Sequence, residues 1–393
     1  MNLTHNSRLL LVPLDIHKDK KHYIVEDKTS SEFYEMPEVC IDAIELINNG
    51  ETLGEIELLL KEKYPNEEVN LIDFVEQLIK MELVSELDGV KLEKRDTKKE
   101  SLGFLWLSPQ IGKFFFNKFS LFLYAVLFIG NAFLFIAKPS LFPHYKDLFI
   151  FDLMVLNIPA WMVLTFILVL IHEFGHILAM RAQNLPTKLE VGHRLFLVVL
   201  ETDMSSIWKL SSKDRNVLFL AGLCFDTVIL SLALISQLIF ANGSGIFLSI
   251  IHVVVLDTFI RMVYQCCVYM KTDLYYLFEN VSGCYNLMEN AQQAIRKKLP
   301  FLNSKVTEEV VFAGEKTTVF VYSIFYFIGV ALTVSLFAIY YIPQLLFALK
   351  KVLPGFLLGL DSLPFWDAML FSLQILIGML LLLYSWRKKY VRR

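Results

Sequence analysis

The sequence predicts a polytopic α-helical membrane protein of about six transmembrane helices, preceded by an α+β, winged-helix-like domain. Three observations predict it. Of 393 residues, 55% are hydrophobic and 33 are Phe, too apolar for one ordinary soluble domain. The long apolar runs all fall after residue 103. Charge divides at the same place: residues 1–100 hold 13 Lys and Arg against 23 Asp and Glu, and the remainder holds 24 against 17. The polar stretch LEKRDTKKES between the two parts reads as a linker. The expected organisation is a small domain over 1–93, a linker and amphipathic lead-in over 94–117, and a membrane core over 118–290. A cytoplasmic loop follows over 291–316, then C-terminal membrane helices and a basic tail over 317–393.

The first elements are short strands. RLLLVPL, KHYIVED and SEFYEM are apolar or aromatic runs bounded by polar residues. PEVCIDAIELIN, GEIELLLKEKY and NLIDFVEQLIKMEL then repeat apolar residues at helical spacing. Thr52 and Glu55 form a capping box that opens the second helix. Asp88-Gly89 marks the turn of a closing hairpin. Strands, three helices and a hairpin make a winged-helix outline, for which DNA is the ordinary partner. An acidic domain gains none of the counterion release that drives phosphate binding, so no nucleic acid is expected.

Six spans are predicted at roughly 118–137, 157–181, 216–240, 246–269, 317–345 and 366–386, each near the ~20 apolar residues that a bilayer requires. Lys and Arg concentrate in 181–215, in 270–316 and in the tail RKKYVRR. The positive-inside rule therefore puts those segments and both termini in the cytoplasm of a multi-pass cell-membrane protein, expected to be bacterial. The five cysteines show neither metal-ligand spacing nor a disulfide framework.

The second span contains LIHEFGHILAM. Ionisable groups inside a bilayer are costly and mark function by default. His172 and His176 are four apart and share one helix face, with Glu173 between them. In this H-E-x-x-H arrangement two imidazoles ligate Zn²⁺ and the glutamate is the general base toward a metal-bound water. A catalytic zinc usually takes a third protein ligand. Asp273, just after the fourth span, is the first choice. Asp257 is a competitor, although Arg261 one turn later offers it an ion pair. Asp226 and Glu201 also remain open. KLEVGHRLFLVVLETD, between the second and third spans, reads as β structure, with His193 as a surface or structural residue. A strand edge there would hold a peptide extended.

HEFGH on a second span, an Ala-Gly pair on the third, and TDLYY followed by CYNL after the fourth resemble the site-two protease superfamily of membrane zinc metalloproteases, and within it the peptide zinc metalloprotease group. The likeness covers about residues 150–290. It implies that Asp273 is the metal-binding aspartate and that Tyr275 and Tyr276 are the group's paired tyrosines, candidate substrate contacts together with Gln265. Asn286 and Leu287 fall on its Asn-Leu. Gln265 and Cys267 stand where relatives carry substrate-holding asparagines, Val268 where they carry proline, and Leu274 where they carry glycine. Gln265 still offers an amide.

The N-terminal phrases NNGETLGEIELLL and VNLIDFVEQLIKMELV resemble the PqqD-like peptide-recognition domain of ribosomal-peptide maturation systems. That likeness implies a leader peptide added as a strand beside SEFYEM and flanked by the third helix, with Phe33, Tyr34 and Phe74 as candidate contacts. The function expected is a membrane zinc endopeptidase that captures and cleaves a precursor peptide, with no motif for nucleotide or haem chemistry and with export through a neighbouring transporter as a further expectation. Two alternatives stand beside it: cleavage of a membrane-tethered regulator, and an inactive peptide-binding or immunity protein.

Overall fold

A computed structural model describes residues 3–391 apart from 21, 93–102, 195–196, 241–242, 244, 285 and 299–315. Most of the expected loop over 291–316 and the front of the expected linker therefore lie outside the described residues. The chain divides into two compact units, Met1–Leu102 with Met204–Arg215, and Gly103–Asp203 with Asn216–Arg393.

The first unit opens with β1 (Leu9–Leu11), β2 (Leu14–Asp19), β3 (His22–Asp27) and β4 (Phe33–Met36). Helices α1 (Glu38–Asn48), α2 (Leu53–Lys63) and α3 (Leu71–Lys80) follow, then the hairpin β5 (Val84–Leu87) and β6 (Val90–Lys91). Two sheets form, ordered β1-β5-β6 and β2-β3-β4, with all neighbours antiparallel. Ile44, Ile56, Val75, Leu78 and Leu83 fill the core between helices and sheets. Thr52 caps α2 and Glu55 returns the bond, the reciprocal box that its sequence predicts. Strand β2 is the element that the sequence hid. LDIHKD loses its alternation in a charged second half, yet it pairs with β3 along its full length.

Residues 204–215 complete this unit. His17 Nε2 lies 3.1 Å from the Trp208 carbonyl, and Lys209 reaches Glu26 at 2.7 Å. Arg215 is fully buried, 2.5 Å from Asp19 and stacked on the Trp208 ring at 4.7 Å. Removing one member of a buried pair costs more than the pair is worth, because the other charge stays desolvated. Arg215→Ala is therefore expected to lower the stability of this unit by about 3–5 kcal/mol, read as a fall in its unfolding midpoint.

The second unit is helical. Its elements are α4 (Pro109–Phe115), α5 (Lys118–Ala137), α6 (Met154–Ala182), the strands β7 (Leu189–Arg194) and β8 (Leu197–Thr202), α7 (Ser212–Phe219, shared with the first unit), α8 (Ala221–Ile239), α9 (Ile246–Gln265), α10 (Asp273–Ser282), α11 (Leu287–Lys298), α12 (Lys316–Leu336), α13 (Ile342–Val352) and α14 (Leu363–Val391). Six stretches are long and apolar enough to cross a membrane: Lys118–Ala137, Met154–Ala182, Ser212–Ile239, Ile246–Gln265, Lys316–Leu357 and Leu363–Leu381. Their outward faces are hydrophobic, as Phe122, Ile129, Phe133, Met162, Phe166 and Ile239 illustrate. This is the surface expected of helices solvated by lipid chains rather than water. Helices α6 and α8 cross closely at Gly175, where a Cβ would meet the Ala221 carbonyl at 2.7 Å.

Candidate metal centre

His172 and His176 project from the same face of α6, both buried. Asp273 begins α10 and is buried with them. One ligand atom from each of the three lies within 4.8 Å of the other two, a group that can hold a metal ion. The Asp273 Oδ2 is 3.1 Å from His172 Nε2 and 3.3 Å from His176 Nε2.

The surrounding bonds choose which nitrogen each imidazole presents. His172 Nδ1 lies 2.8 Å from Asp226 Oδ2, and His176 Nδ1 lies 2.9 Å from the Leu218 carbonyl. Carboxylate and carbonyl oxygens only accept, so both Nδ1 atoms donate, and the Nε2 atoms, which face Asp273, are the nitrogens left for a metal. Gln265 fixes the third group from two sides. Its Nε2 donates to Asp273 Oδ2 at 3.0 Å, and its Oε1 accepts the Asp273 backbone N–H at 3.1 Å. Thr272 Oγ1 donates to the Gln265 carbonyl at 2.7 Å, closing the turn between α9 and α10.

Gly222 of α8 lies directly against the group. A Cβ built on it would run into His172 Nε2 and His176 Nε2. The space a metal needs is thus kept by a missing side chain. Gly222→Ala is expected to weaken metal binding at least about tenfold with all three ligand residues unchanged in sequence, read as metal content after dialysis against a chelator. The sequence offered this residue only as half of an Ala-Gly pair.

The other acids take supporting positions. Asp226 holds His172 and lies 3.2 Å from Arg261 Nη2. Asp257 accepts from Thr165 Oγ1 at 2.6 Å and pairs with the same guanidinium at 3.8 Å. Arg261 therefore serves both carboxylates, not Asp257 alone. Glu201 lies on β8 opposite Glu190, beside Gly192. None of the three joins His172 and His176 in the metal-capable group found among the described residues.

Glu173 is buried and faces the hairpin. Its Oε2 accepts the Thr202 backbone N–H and the Thr202 hydroxyl, each at 2.8 Å. The expected β segment is indeed β7 and β8, paired from Leu189↔Thr202 to Arg194↔Leu197. Tyr275 is buried and donates to Glu279 Oε1 at 2.5 Å, and Tyr276 stacks on Phe219 at 5.9 Å. Burial pushes the Glu279 carboxyl up to about 7, against the pull of Tyr275 Oη, the Leu287 N–H and Lys271.

The remaining expected contacts belong to the first unit. Strand β4 pairs only with β3 among the described residues, which leaves its outer edge open. Phe33, half-buried, has Lys209 Nζ 5.8 Å above its ring. Tyr34 donates to Glu32 at 2.6 Å and lies 3.3 Å from the Met81 carbonyl, tying β4 to the end of α3. Phe74 instead turns toward α1 and α2, lining a cavity of about 100 Å³ with Val39, Cys40 and Leu60. Comparison with protein-family models, curated proteins and solved structures finds no match to this chain.

Proposed function

We propose that this chain is a membrane zinc endopeptidase of the site-two protease kind, which captures a ribosomally made precursor peptide and cleaves it during maturation. The observation that carries the reading is the convergence of two oriented imidazole Nε2 atoms and one carboxylate oxygen around a space kept by Gly222, with Glu173 next to them in sequence. Two nitrogens and one oxygen suit zinc, and three protein ligands leave a coordination position for chemistry. When bound, zinc supplies Lewis acidity that activates water near neutral pH and polarises a carbonyl.

The chain's own groups do the rest. His172, His176 and Asp273 bind the metal, while Asp226, the Leu218 carbonyl and Gln265 orient them. Glu173 takes a proton from the attacking water and returns it to the leaving amine. An open strand edge, on β7–β8 or on β4, suits an extended peptide, whose backbone pairs with the edge. Gln265 has both ends of its amide on Asp273, so it acts through that ligand. The acidic first unit is the leader-binding part in this reading, with no nucleic acid partner. Both termini face the cytoplasm of a bacterial cell membrane, and a neighbouring exporter removes the product.

A second reading has one observation in its favour. An apolar cavity of about 560 Å³ lies among α6, α9, α13 and α14, lined by Trp161, Leu256, Ile260, Leu345, Phe371 and Met379. A cavity of that character suits an apolar segment of a membrane-tethered substrate. Mass spectrometry of small peptides from the native host, wild type against Glu173→Gln, separates the readings. An uncut precursor in the variant supports maturation. Loss of a membrane-protein fragment with unchanged peptides supports the second reading. No change in either refutes proteolysis.

A further inference from the structure

The hairpin β7–β8 ends on the glutamate that the proposed chemistry uses. Thr202, its last residue, is buried and sends two donors to a single oxygen of Glu173. The same hydroxyl lies 3.2 Å from the Glu173 backbone carbonyl, so it is aimed at both the side chain and the main chain of that residue. Among the described residues, no hydrogen bond reaches Oε1. The carboxylate is thus held at one oxygen and left open at the other.

A glutamate has three side-chain torsions, and an unheld one samples orientations in which no proton transfer occurs. It can also turn its oxygen to the metal and compete with the three ligands. Donors to a carboxylate are about twice as strong as neutral ones, and two of them on one oxygen fix both rotation and reach. A displacement near 1 Å at a reacting group costs on the order of a hundredfold in rate. Thr202 meets the requirement from a strand, a rigid element that also carries an edge for peptide addition.

We propose that Thr202 is a positioning residue: it anchors Glu173 through Oε2 so that Oε1 is the oxygen that takes the proton. This rests on the metallopeptidase reading above. It assigns a role to a residue outside the H-E-x-x-H stretch and gives the hairpin a duty besides holding substrate.

The test uses the full chain in its native host, with Thr202→Val, Thr202→Ser and Glu173→Gln compared with wild type. The readouts are the ratio of uncut to cut peptide and the metal content of each purified protein. Valine keeps the branched shape and the backbone N–H but removes the hydroxyl. It is expected to slow cleavage on the order of ten- to a hundredfold with metal content unchanged. Serine restores the hydroxyl and is expected to recover cleavage to within about threefold of wild type. Two results overturn the inference while Glu173→Gln still blocks cleavage: Thr202→Val cuts like wild type, or Thr202→Ser is as slow as Thr202→Val. The second would assign the defect to packing of the methyl group. Loss of metal in Thr202→Val would overturn it too, by showing a collapsed site. If Glu173→Gln itself cuts normally, the metallopeptidase reading falls first and the positioning role falls with it.

Discussion

Glu173→Gln is expected to keep its metal and lose on the order of 10²–10⁴ in cleavage rate. The substitution preserves volume and the oxygen that Thr202 grips, since a glutamine carbonyl accepts the same two bonds that Oε2 accepts now. None of the three ligand atoms is changed, and neither Asp226 nor the Leu218 carbonyl loses its imidazole. What disappears is the ability to accept a proton and pass it on. Metal content by mass spectrometry and cleavage of the accumulated precursor are read on the same preparation. Equal loss of metal and activity would place Glu173 among the metal's supports. Full activity with metal present would remove it from the chemistry altogether.

Much of this arrangement was legible in the chain, and the reason is spacing. His172 and His176 lie on one helix face because they are four apart, and no tertiary information is needed to say so. Asp273 was reachable by position and by likeness, because it is an acid at the end of a span, while Asp257, Asp226 and Glu201 stayed open. The capping box at Thr52 and Glu55 and the closing hairpin are local patterns, and both are present. What stayed hidden was long-range. Thr202 and Glu173 are 29 positions apart, and a threonine ending a strand carries no sign of the carboxylate it will hold. Asp226 stood in the sequence as an alternative third ligand or a polar contact between helices, whereas it bonds Nδ1 of His172 from 54 positions away. The buried pair of Arg215 with Asp19, one of the contacts that hold 204–215 in the first unit, was hidden too, because Arg215 read as another loop charge that orients a membrane protein. Strand β2 was missed because half of it is charged, and its partner β3 rather than its own pattern makes it a strand.

Asp273→Asn is expected to be the most damaging change to metal binding, and a matched Asp257→Asn the least. Asparagine at 273 removes the only negative charge among the three ligand groups and offers a weaker neutral oxygen. Its carbonyl can still accept from Gln265 Nε2, so the loss falls on the charge and not on that bond. Loss of a direct ligand should exceed the roughly 10–100-fold that loss of a supporting partner costs. Asp226→Asn should fall within that smaller range, because His172 loses a charged anchor while its Nε2 remains a donor to the metal. Asp257 bonds Thr165 and faces Arg261, one step further out, so its variant should bind metal within a few-fold of wild type. Chelator competition on the three purified proteins ranks them. The order 273, 226, 257 follows from their bonds: Asp273 faces both Nε2 atoms, Asp226 bonds Nδ1 of His172, and Asp257 pairs with Thr165 and Arg261 instead. A reversal of the last two would mean that Arg261, shared between them, governs the site more than the direct bond to His172 does.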